Sequence, residues 1–166
     1  MTWTPPVLTN DASKPAAYAA LQTSLTELLH GEPDLLANAA NTSALLFHLL
    51  PDLNWAGFYF LQESTLVLGP FQGKPACTRI PLDRGVCGAA ASQRQTLIVP
   101  DVQAFAGHIA CDADSRSEIV VPLLQNDRLL GVLDLDSPVP GRFDADDARG
   151  LKAVVQIFLN ASTPRE

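Results

Sequence analysis

No stretch of this chain approaches the roughly 20 consecutive apolar residues that a helix needs to cross a bilayer, and it does not open on a basic segment followed by an apolar one. A membrane span and a secretory leader are therefore not expected, and a soluble, cytoplasmic protein is. Basic residues are also scarce: 11 Lys and Arg stand against 18 Asp and Glu, a formal net charge of -7. Nucleic-acid affinity comes largely from neutralising phosphates with Lys and Arg, so a polyanionic partner is not expected. There is no internal repeat, and the 13 prolines are scattered rather than gathered into a linker. No phosphate loop or dinucleotide fingerprint accompanies the glycines; Gly69, Gly73, Gly85 and Gly88 read as turns and a helix entrance. Cysteine is sparse and odd in number, three in all, with no Cys-x-x-Cys. That count argues against a secreted disulfide framework, and the spacing does not suit the compact zinc patterns, so no bound metal is expected.

What is present suffices for one domain. The chain has 166 residues and 47% hydrophobic content, enough for a sizeable core. Tyr18, Leu21, Leu25, Leu28 and Leu29 recur at helical spacing and predict a helix from about Lys14, closed by Gly31. A second helix is expected from Pro33, in its first turn, to Leu49. Strands follow at Trp55–Leu61 and Thr65–Leu68, then around Cys77–Pro81; the alanines of Gly85–Arg94 suggest a short helix. Thr96–Pro100, Glu118–Leu124 and Leu130–Asp136 read as strands, the last two joined by a turn at Asn126-Asp127. A final helix begins near Asp144, an acidic residue suited to capping free amides. An antiparallel sheet flanked by terminal helices is the simplest α+β solution for this order.

Strand parity sorts the candidate functional residues. Side chains alternate faces along a strand, so Asp134 and Asp136 share one face with Val132 while Leu133 and Leu135 take the other. Trp55, Gly57 and Tyr59 likewise lie together, an aromatic pair around a glycine gap that could wall a pocket. Aromatics alone read as ordinary packing. Paired carboxylates are harder to explain structurally, because like charges at close range repel unless a ligand or a shared proton intervenes. Cys77, Cys87 and Cys111 sit in polar or glycine-rich contexts, which favour reactive thiols over core ones. His108, near Cys111, reads as a surface or supporting hydrogen-bonding residue rather than a ligand.

Several separated segments carry a family resemblance. Gly69 to Cys77, Gly85-Val86-Cys87-Gly88, Gly107 to Asp112, Ser117 to Pro122 and Leu133 to Pro138, with Asn54 to Tyr59, resemble the motifs of free methionine-(R)-sulfoxide reductases, which are single GAF-domain enzymes. The resemblance implies a GAF domain over 14–160 with an N-terminal extension over 1–13. Its central antiparallel sheet should carry the N- and C-terminal helices on one face and the active site on the other. It implies reduction of the R epimer of free methionine sulfoxide, with no bound cofactor and with thioredoxin as the reductant. Cys111 is then the nucleophile, Cys77 the favoured resolving cysteine and Cys87 a further thiol. Glu118, Asp134 and Asp136 match acidic substrate-site residues, and Trp55 and Tyr59 the aromatic wall. Ala106 stands where the family commonly has proline, which is expected to loosen the loop bearing Cys111. The competing reading is a GAF sensory module that binds a small ligand without turnover. The terminal helices are compatible with a homodimer.

Overall fold

The computed structural model describes residues 13–107 and 112–163. The N-terminal extension expected over 1–13, apart from Ser13, lies outside the described residues, as do His108 and Cys111. Element order is α1 (Lys14–Leu28), α2 (Leu35–Leu49), β1 (Trp55–Gln62), β2 (Thr65–Gly73), β3 (Arg79–Pro81), α3 (Gly85–Gln93), β4 (Leu97–Val99), β5 (Ser117–Gln125), β6 (Arg128–Ser137) and α4 (Ala145–Ala161). Among the described residues, six strands form one sheet in the order β3-β2-β1-β6-β5-β4. Every neighbouring pair is antiparallel, as expected for the α+β arrangement.

Local chemistry sets the element ends. The Asp144 carboxylate accepts the N–H groups of Asp146 and Asp147, and the Asp147 carboxylate accepts that of Asp144, a reciprocal cap that fixes where α4 begins. Helix α2 starts two residues later than expected: Asp34 is its cap, accepting from Ala37 N–H at 2.9 Å, so Pro33 stands outside the first turn. Asn126 and Asp127, at φ +49° and +61°, make the tight turn between β5 and β6.

Gly69 and Gly73 are not turns, because β2 continues through Gly69-Pro70 to Gly73. Gly57 pairs with Phe71 and Tyr59 with Leu68, so two steps along β1 oppose three along β2. Proline lacks the N–H that a regular ladder needs, and this bulge accommodates Pro70 inside the strand.

The two sheet faces bury different material. Ala56, Phe58, Ile119, Val121, Leu123, Leu133 and Leu135 pack beneath α1, α2 and α4 in the larger apolar core. Phe58 meets Phe158 of α4 with ring centroids 4.7 Å apart. The opposite face carries Trp55, Tyr59, Leu66, Val120 and Val132, packed against residues of α3. Gly88 allows this close contact: a Cβ there would stand 2.4 Å from the Pro81 carbonyl oxygen, so any side chain would push α3 off the strand end. The helices thus take the faces that the resemblance implied, and the second face is left for a site.

Candidate active site

Strand register assembles the site from residues far apart in sequence. Asp136 of β6 pairs with Trp55 of β1 on one side and with Glu118 of β5 on the other; Asp134 pairs with Gly57 and Val120. Parity aims all three carboxyls at the α3 side, where they line one cavity with Trp55, Tyr59, Cys87, Asp112 and Ser115. Helix α3 supplies Cys87 at its first turn. The Cys87 Sγ and a carboxylate oxygen from each of Glu118 and Asp134 lie within 4.8 Å of one another, all buried.

Burial dominates the electrostatics. Removed from water, the Asp134 carboxyl is pushed up to about 7, despite hydrogen bonds from Cys87 and Glu118 that favour its charged form. Glu118 is raised well above the carboxylate range by burial and then by the neighbouring Asp134 and Asp136 charges. Asp136 is raised by burial and by Asp134, while a hydrogen bond from Ser115 opposes the shift. Burial and the same carboxylates also push up the Cys87 thiol, whose Sγ lies 3.9 Å from Glu118 Oε1. The group therefore holds protons near neutral pH, and these belong to the cluster rather than to one residue. Asp134 Oδ1 is buried with no hydrogen-bond partner, an acceptor left open in the wall.

The aromatic wall differs from expectation in one respect. The glycine gap at Gly57 is filled: a Cβ there would stand 2.7 Å from the Trp55 ring and 2.3 Å from Phe71 Cβ. Trp55 stacks between Tyr59, at 5.9 Å between centroids, and Phe71, at 5.3 Å. Glycine makes room for a ring stack rather than for a ligand. Trp55 Nε1 donates to the Lys74 carbonyl at 3.2 Å and the Tyr59 hydroxyl to the Cys77 carbonyl at 3.0 Å, so both rings also pin the segment bearing Cys77.

Of the cysteines, Cys77 is in a disulfide and Cys87 is a free buried thiol. The polar context that favoured reactive over core thiols misjudges Cys87, because α3 packs onto the sheet and encloses it. Cys111 and His108 lie outside the described residues. Preceding them, Gly107 adopts φ +78°, a backbone shape that suits glycine, and Ala106 directly before it is exposed.

Sequence reasoning missed Phe71 in the ring stack and Asp112 and Ser115 in the cavity wall. Asp112 accepts from Asn54 Nδ2 at 3.2 Å and from the Asp114 N–H at 3.0 Å, and Asn54 Nδ2 also lies 3.0 Å from Ser115 Oγ. The adjacency of Asp112 to Cys111 was the available signal. No Lys or Arg lines the cavity among the described residues.

The GAF domain family model matches residues 24–161. The free methionine-R-sulfoxide reductase of Escherichia coli (strain K12) is 54% identical over 143 residues, covering 86% of this chain and 87% of that protein. The protein of the same name from Saccharomyces cerevisiae is 43% identical over 157 residues, covering 90% and 87%. The X-ray structure of free methionine-R-sulfoxide reductase from Neisseria meningitidis in complex with its substrate superposes with a TM-score of 0.89 at 41% identity, covering 95% of each chain.

Proposed function

The chain belongs to the GAF-domain free methionine-R-sulfoxide reductases, and on that premise we propose how its residues carry out the reduction. The substrate is free methionine-(R)-sulfoxide. The Cys111 thiolate attacks the sulfoxide sulfur while the Glu118, Asp134 and Asp136 cluster delivers a proton to the oxygen, which overcomes the poor leaving tendency of oxide. The hydroxyl passes to the Cys111 sulfur as the bond between the two sulfurs breaks, so methionine departs and Cys111 is left as a sulfenic acid. Cys77 condenses with it, releasing water and forming the Cys77–Cys111 disulfide. Thioredoxin, an external dithiol, takes up the oxidising equivalents and restores both thiols. Cys87 supplies a hydrogen bond to the acids in its buried thiol form.

The observation that carries this reading is the proton-holding acid cluster, with its open Asp134 Oδ1, beside an aromatic wall that pins the Cys77 segment. A cavity lined by carboxyls and by no described cation disfavours anions. It favours a ligand that offers a positive end and an acceptor oxygen. Free methionine sulfoxide offers both, in its ammonium group and its S–O dipole. The acids fix the oxygen and Trp55 the S-methyl group, and two fixed substituents at a stereogenic sulfur admit one epimer productively. Backbone amides near Cys111 are left to meet the substrate carboxylate.

The test uses resolved free R and S sulfoxides and a blocked peptide, with methionine formation as the readout. Free R sulfoxide should be turned over repeatedly with dithiol, far faster than the other two. Cys111→Ser should abolish even one turnover, whereas Cys77→Ser should keep a one-equivalent burst and lose thioredoxin-dependent cycling. Binding without release of methionine would instead favour the sensory module. Comparable turnover of the peptide would refute a site that reads the free ammonium and carboxylate ends of the substrate.

A further inference from the structure

One group of side chains takes no part in the chemistry proposed above, yet lies between the two cysteine-bearing segments. Lys74 stands three residues before Cys77, and Asp112 follows Cys111 directly. The Lys74 ammonium pairs with Asp112 Oδ1 at 3.2 Å and also with the Asp114 carboxylate. Each segment is also held separately: Trp55 Nε1 donates to the Lys74 backbone carbonyl, and the side-chain amide of Asn54, the preceding residue, donates to the Asp112 carboxylate. The ion pair therefore joins two segments that are both anchored to the start of β1. Lys74 and Asp114 side chains are 61% and 68% exposed. Ion pairs so exposed add little to stability, so this one has little to contribute to the fold itself.

We infer that Lys74 is a positioning residue, whose ion pairs with Asp112 and Asp114 clasp the Cys77 segment to the Cys111 segment and so speed formation of the disulfide. The inference rests on the thiol roles proposed above. Condensation of a sulfenic acid with a thiol is intramolecular here, and its rate follows the fraction of time that the two sulfurs spend in reacting geometry. A clasp between their chain neighbours raises that fraction. The chemistry of sulfoxide attack precedes this step and involves neither Lys74 nor Asp114, so the clasp leaves it alone. An exposed pair biases such a population by about three- to fivefold at low ionic strength, and salt within the Debye range removes the bias.

The experiment mixes fully reduced protein with free methionine-(R)-sulfoxide in the absence of any external dithiol. Released methionine and the Cys77–Cys111 disulfide are followed separately, the latter by acid quench, alkylation and mass spectrometry. Lys74→Ala should give a wild-type methionine burst and slow disulfide formation by about three- to fivefold. Lys74→Arg should restore the rate. Added salt should slow the wild type toward the alanine variant and leave that variant unchanged. Disulfide formation at the wild-type rate in Lys74→Ala at low ionic strength would overturn the clasp, as would equal slowing of burst and disulfide. Failure of the underlying thiol reading looks different: wild type would then show no burst, or Cys111→Ser would keep one.

Discussion

The two faces of the sheet are made by the same strands from opposite chemistry. On β6, Leu133 and Leu135 are fully buried beneath the terminal helices, whereas Asp134 and Asp136 alternate with them toward α3. On β5, Ile119 and Val121 face the helices and Glu118 the cavity. The helix face gains stability from apolar area removed from water. The site face forgoes some of it by burying acids, each of which must keep a proton or find a counter-charge. A broad core on one side thus supports a strained electrostatic cluster 1 residue away along each strand.

The comparison breaks most sharply at Asp134. Asp134→Asn preserves shape and removes a transferable proton, so the single-turnover methionine burst should fall by about 10²- to 10⁴-fold, the range for lost acid catalysis. Thermal stability should hold or rise, because the acid that is removed resists ionisation where it sits. Retention of the wild-type burst rate and pH profile, in this variant and in Asp136→Asn, would make the pair merely structural.

The neighbouring residue should give the reverse result. Leu135→Ala leaves a cavity under the helices and should cost about 2–5 kcal/mol of unfolding free energy by denaturant titration. Burst rate per folded molecule should stay near wild type. A large loss of burst with stability intact would show that the two faces are not separable.

The mildest effect lies in pH dependence. Burial within the cluster pushes the Asp134 carboxyl up to about 7 in the folded protein, against about 3.9 in an unfolded chain. The folded state thus binds more protons between those values, so this group's contribution to stability is full below about pH 4 and is lost as pH rises through about 7. Glu118 and Asp136, also raised, act in the same direction. Chemical denaturation from pH 4 to 8 should show this decline on top of the protein's other titrations, with a shallower slope in Asp134→Asn. The burst rate should fall over the upper part of the same window, as the shared proton leaves. Equal slopes in the two proteins would mean that the acid is not buried as described.

Helices, hairpins and the alternation of Asp134 and Asp136 with leucines were legible in the chain because they follow from local backbone geometry. A strand has a period of two, a helix of 3.6, and caps such as Asp144 act within three residues. The amino-acid sequence by itself therefore determined which side chains share a face, and its motifs determined the family. Tertiary structure alone decided which faces meet. The bulge opposite Gly57, the Phe71 stack, the enclosure of Cys87 and the contact of Asn54 with Asp112, 58 residues away, all depend on register and loop docking. Those are set by pairing between distant segments, and burial, which tunes the acids, exists only once that pairing has closed the site.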